Sequence, residues 1–129
     1  MIIAVDFDGT VVDHRFPDVG SDAPGAVDTL RDLVAQGHKI ILWTMRDGEQ
    51  LQDAIKWYRQ RNIPLFGIQR NPEQNWTTSP KAYAHLYIDD AAFGAPLIQY
   101  AMHKRPLINW ETVRSVLLPK DITTTSLPH

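Results

Sequence analysis

Short apolar runs, each ending on a polar side chain and each parted from the next by a helical stretch or a polar loop, constrain this chain more than any other feature. Met1 to Asp6 is a continuous apolar run of the kind buried on both faces of a sheet. Residues 11–25, rich in Asp, Gly and Pro, read as a loop or short hairpin. Pro24 suits the first turn of a helix in which Val27, Leu30, Leu33 and Val34 recur at helical spacing until Gly37 stops it. "KIILWT", residues 39–44, is a second apolar strand. Residues 48–61 then place Leu51, Ala54, Ile55 and Tyr58 on one helical face, ended by Asn62 and Pro64. "LFGIQ", residues 65–69, is a weaker third strand, "NPEQNWTTSPK" a polar loop, and "HLYIDD", residues 85–90, a fourth strand. "PLIN", residues 106–109, is a candidate fifth, followed by a short helix from Trp110 to Leu118.

Strands alternating with helices imply parallel βαβ units and an open sheet with helices on both faces, a Rossmann-like three-layer αβα sandwich of the α/β class. A chain of 129 residues, 43% hydrophobic and 22% charged, is enough for one such core. The domain is expected to span residues 1–118, with 119–129 as a flexible tail. No apolar run approaches the length of a membrane helix, and no basic segment followed by an apolar stretch opens the chain. A cytoplasmic protein without membrane contact is the expectation. The absence of cysteine excludes thiolate catalysis and thiolate metal sites. A formal charge of -2 without a long basic run argues against a broad footprint for nucleic acid and suits a small anionic substrate at least as well.

In open parallel sheets, ligands bind beyond the carboxyl ends of the strands. The polar residues ending the apolar runs should therefore converge: Asp6 with Asp8, Thr44, and Asp89 with Asp90. Residues i and i+2 of a strand share a face, so Asp6 and Asp8 are expected to project together and to repel each other. A cluster of carboxylates is costly unless a cation neutralises it, and oxygen ligands without thiolates select a hard ion such as Mg²⁺. A carboxylate nucleophile, a hydroxyl at Thr44 and an ammonium at Lys81 are the parts that phosphoryl transfer uses.

With these residues in view, the chain resembles the haloacid-dehalogenase-like (HAD) hydrolases. "VDFDGT" is similar to their first motif, "IILWT" ending at Thr44 to the second, Lys81 to the third and "LYIDD" to the fourth, in the right order over residues 1 to 94. "DHRFP" and "LWTMRDGE" resemble small bacterial HAD-like phosphatases in particular. The resemblance implies that Asp6 is the nucleophile, forming an aspartyl-phosphate. It implies that Asp8 is the general acid and base, that Thr44 holds the transferred phosphoryl, and that Lys81 neutralises charge on nucleophile and phosphate. It also implies Mg²⁺ held by Asp6, by the carbonyl of Asp8 and by one of Asp89 and Asp90. Asp90 is favoured, which leaves Asp89 to bond Lys81 or a water on the metal. A second Asp at position 8 points to a phosphatase rather than to relatives that keep a long-lived phospho-intermediate.

His14, Arg15 and Arg46 lie just beyond the first two motifs and are candidates to bind substrate anions, against the alternative of ordinary loop residues. The histidines are scattered without a pair at metal-ligand spacing. Trp43, Trp57 and Trp110 read as packing residues, with Trp76 as the one candidate for stacking on a ligand. Neither residues 11–38 nor residues 45–80 have room for a separate cap domain. By resemblance, capless members act on large phosphorylated substrates or borrow a second subunit of a homo-oligomer as a lid. Two other readings are a nucleic-acid-end phosphatase of the polynucleotide kinase type and a non-catalytic phosphate- or Mg²⁺-binding module.

Overall fold

A computed structural model describes residues 1–119. The elements run β1 (Ile2–Val5), α1 (Ala26–Ala35), β2 (Lys39–Leu42), α2 (Gly48–Gln60), β3 (Gly67–Ile68), β4 (Leu86–Ile88), β5 (Leu97–Ile98), β6 (Leu107–Ile108) and α3 (Trp110–Leu117). β1 to β4 form a parallel sheet in the order β3-β2-β1-β4, so the most apolar strand sits inside it, as a strand buried on both faces must. The molecule is a mixed α/β protein of Rossmann-like class. The expected tail beyond Pro119 lies outside the described residues.

The pleat divides the core in two. Ile3, Val5, Ile40, Leu42 and Ile88 face one way and pack with Leu30 and Leu33 of α1, Trp57 and Tyr58 of α2, and Trp110 and Val113 of α3. Ala4 and Ile41 face the other way, where Ala82 and Ala84 cover them with help from Trp43, Phe66 and Tyr87. All three helices among the described residues contribute to one of these cores; the opposite face, where the expectation of helices on both faces called for one, is covered by the irregular segment leading into β4, read from sequence as a polar loop. That segment, with Pro72 and Pro80 and a run of Thr, Thr and Ser, is poorly suited to a helix interior. Small alanines let it lie close on the sheet.

Two details differ from expectation. "PLIN" does form a strand, but β6 pairs antiparallel with β5 in a separate two-stranded sheet, Leu97 opposite Ile108. β5 had no counterpart in the sequence reading because a two-residue strand carries no periodicity. Pro24 lies in the turn before α1, whose N-cap is Gly25 at φ 81°.

Trp110 ties this scaffold to the strand ends. It is fully buried, and its indole Nε1 donates to the Thr10 carbonyl at 2.7 Å, while the Ile108 amide donates to the Gly9 carbonyl at 3.2 Å. The loop after β1 therefore rests on the start of α3. Trp110→Ala should destabilise the protein by about 3–5 kcal/mol through the cavity and the unpaired carbonyl, measured by urea denaturation. A loss below about 1 kcal/mol would contradict this role.

Candidate functional site

The register of the sheet builds the site. Val5 is opposite both Leu42 and Ile88, so the next residues, Asp6, Trp43 and Asp89, emerge at one level. The Asp6 amide donates to the Ile88 carbonyl at 2.9 Å and the Trp43 amide to the Val5 carbonyl at 3.0 Å, which carries the pairing one step past the strands. Carboxylate oxygens of Asp6, Asp89 and Asp90 lie within 4.8 Å of one another.

Thr10 binds this cluster together. Its fully buried hydroxyl lies 2.9 Å from Asp6 Oδ2 and 3.3 Å from Asp90 Oδ1, and accepts from the Asp90 amide at 3.2 Å. Gly9 adopts φ 82°, and a Cβ there would collide with the His14 ring and the Asp90 carboxylate. Glycine is required at that position by both conformation and space. His14 Nε2 lies 3.4 Å from Asp90 Oδ2.

Burial pushes the Asp6 carboxyl up to about 8, helped by its hydrogen bond with Asp90 and by the charge of Asp89, against the opposing hydrogen bonds from Thr10 and the Phe7 amide. Without a cation the cluster thus holds a proton. The donor set consists of carboxylate oxygens, the ligands a hard divalent ion takes, so the residues present fit Mg²⁺. The Tyr58 phenol is held neutral by burial, with the charge of Asp6 adding to the effect.

Asp6 lines a cavity of about 390 Å³ together with Trp43, Thr44, Gln69, Pro80 and Asp89. Gln69 holds Thr44 on both sides: its side chain accepts from the Thr44 amide at 2.9 Å and donates to the Thr44 carbonyl at 2.6 Å. Thr44 Oγ1 accepts from the Arg46 amide at 3.1 Å, which leaves its O–H free to donate.

Three expectations are corrected. Asp8 does not project with Asp6, because the strand ends at Val5 and the chain turns. Its carboxylate instead accepts two N–H bonds from Arg46, Nε to Oδ2 and Nη2 to Oδ1, both 2.8 Å. Arg46 is not a binder of substrate anions. It is 1% exposed, lies between the Phe7 and Phe16 rings, and directs its remaining N–H groups to the carbonyls of Pro17, Asp18 and Gln50. No donor of the guanidinium is left over. Lys81 makes no ion pair with Asp6, Asp89 or Asp90 among the described residues; its ammonium lies over the Tyr87 ring, 5.2 Å from the centroid.

Arg15 is exposed and borders a different cavity, shared with Asp8 and His14. Trp76 is 62% exposed and meets Tyr83 edge-on. Thr10 and Gln69 were missed as site residues. Gln69 ends a short strand just as Thr44 does, so the rule that strand-end polar residues converge would have found it. Thr10 had no such signal, since its role depends on Asp90, distant in sequence.

The fold and site define a Rossmann-like α/β protein with an acidic cluster beyond the ends of its parallel strands. No protein-family model and no curated protein matches the chain. Among solved structures, a conserved protein from Bacteroides thetaiotaomicron superposes with a TM-score of 0.76 at 37% sequence identity, covering 91% of this chain and 88% of its own. The chain belongs to the same family as that protein. No helix among the described residues is long and apolar enough to cross a membrane.

Two outcomes are expected. In EDTA, folded Asp6 keeps a proton that the unfolded chain releases above 3.8, so stability should fall as pH rises from there to about 8. The slope is at most about 1.4 kcal/mol per pH unit. In thermal melts across that range Asp6→Asn, which has no proton to lose, should gain on wild type as pH rises; a constant difference would place the proton elsewhere. Arg46→Ala should cost about 3–5 kcal/mol in urea denaturation, because it strands the Asp8 charge and three carbonyls.

Proposed function

We propose that the chain is a Mg²⁺-dependent, HAD-like phosphatase that hydrolyses a phosphomonoester in the cytoplasm through an aspartyl-phosphate on Asp6. The observation that carries this reading is the meeting of carboxylate oxygens of Asp6, Asp89 and Asp90 within 4.8 Å of one another beyond the strand ends, with Thr44 on the same cavity as Asp6. Asp6, Asp89 and Asp90 would hold Mg²⁺, which when bound offsets the negative charge where a carboxylate meets a phosphoryl group.

Asp6 bonds to phosphorus as the bond from phosphorus to the alcohol oxygen breaks, and Asp8 gives that oxygen its proton. Asp8 then takes a proton from water, the water oxygen bonds to phosphorus, and the bond to Asp6 breaks, releasing inorganic phosphate. Thr44 donates its free O–H to a phosphoryl oxygen. Lys81 reaches the phosphoryl by swinging its flexible stem off the Tyr87 ring, and Asp8 must turn away from Arg46 to move protons.

That last requirement is the specific observation favouring a second reading. A carboxylate clamped by a buried, fully bonded guanidinium suits a non-catalytic phosphate- or Mg²⁺-binding module as well. Phosphate release from p-nitrophenyl phosphate separates the two. Release in Mg²⁺ and none in EDTA is expected, with Asp6→Asn slower by at least about a thousandfold. Asp8→Asn should lose turnover while phospho-enzyme accumulates, detected by intact-mass spectrometry. Full activity in EDTA or in Asp6→Asn would sink the mechanism, and Mg²⁺ or phosphate binding without any turnover would favour the module.

A further inference from the structure

A second cavity, of about 610 Å³, opens on the other side of the loop after β1, lined by Asp8, His14, Arg15, Phe16, Lys104 and Arg105, with Met102 at its rim. Its size is that of a pocket for a small molecule rather than of a track for a polymer. One wall is the loop following Asp13 and the other is the loop between β5 and β6. The two walls are joined by Asp13, whose buried carboxylate accepts from the His14 amide at 2.8 Å and lies 3.9 Å from both Arg15 Nε and the buried His103 Nε2.

The charges of this cleft do not cancel. Asp8 is neutralised from behind by Arg46, and Asp13 is shared between Arg15 and His103. Lys104 and Arg105, both exposed, make no ion pair with any described residue. Cations facing a concave, partly apolar wall raise the local concentration of anions. Phe16 at 62% and Met102 at 85% exposure supply the apolar part.

Position relates the cleft to the chemistry. In the reading above, which this inference extends, Asp8 protonates the leaving oxygen. Asp6 borders one cavity and Asp8, two residues on, the other; with the phosphoryl group on the Asp6 side, the alcohol half of the substrate would extend past Asp8. We infer that the cleft, through Lys104 and Arg105, selects small phosphomonoesters whose alcohol half carries a second anionic group, a carboxylate or a further phosphate. The second anion meets Lys104 and Arg105, and the carbon skeleton lies against Phe16 and Met102.

The test compares matched pairs: 3-phosphoglycerate with glycerol 3-phosphate for the carboxylate, and fructose 1,6-bisphosphate with fructose 6-phosphate for the phosphate. Wild type should prefer the doubly anionic member in kcat/KM by at least about tenfold, mainly through KM, and the preference should shrink as salt is raised. In the double variant Lys104→Gln, Arg105→Gln, whose substitutions are at exposed positions, the ratio within each pair should approach one. The pair that responds more identifies the anion. A wild-type ratio near one, or a ratio unchanged in the double variant, overturns the inference. So does a 5′-phosphorylated oligonucleotide outperforming every small substrate. If wild type hydrolyses neither these compounds nor p-nitrophenyl phosphate, the phosphatase reading itself fails. Calorimetric titration of 3-phosphoglycerate and glycerol 3-phosphate then decides the cleft alone: tighter binding of the former, lost in the double variant, supports it, and equal binding overturns it.

Discussion

Everything at the site depends on the in-register parallel pairing of β1 between β2 and β4. Val5 faces Leu42 on one side and Ile88 on the other, so three chain segments leave the sheet at one height. A slip of one residue would turn every side chain of a strand to the opposite face and scatter the polar termini. What secures that register is apolar burial: Ile3, Val5, Ile40 and Leu42 must meet the helices, which obliges the residues after them to be where they are.

The same pairing brings acids together, and the protein manages their repulsion in two ways. Within the cluster, Thr10 bonds Asp6 and Asp90, while burial raises Asp6 until it retains a proton when no cation is bound. Outside it, Asp8 is drawn off to Arg46, whose buried guanidinium also collects the carbonyls of the loop that follows. Arg46 thus links the loop after β2 to the loop after β1. A planar five-donor fork can satisfy a carboxylate and several carbonyls at once, which a lysine could not.

These partnerships separate the surroundings of Asp6 from those of Asp8. One side is a cavity with hydroxyl and carboxylate groups, and the other is a cleft with cations and exposed apolar side chains. The β5–β6 pair, small as it is, carries the loop that forms a wall of the second cleft and is anchored by β6 leading directly into α3. An irregular layer on the far face of the sheet leaves Lys81 on an exposed segment rather than at a helix end.

Local pattern alone was enough for the strands and helices that carry strong periodicity: β1, β2, β4, α1, α2 and α3 lie where their apolar spacing puts them, because burial of a pleated or helical face leaves few alternatives. The convergence of Asp6, Thr44, Asp89 and Asp90 was legible for the same reason, since strand ends of a parallel sheet share one side. Tertiary structure decided the rest. The separate β5–β6 pair, the irregular cover of the second sheet face, the Asp8–Arg46 clamp and the Thr10 bridge all join residues far apart in the chain. Their geometry depends on how loops pack, and loop packing is a sum of many long-range contacts that no short stretch of sequence encodes.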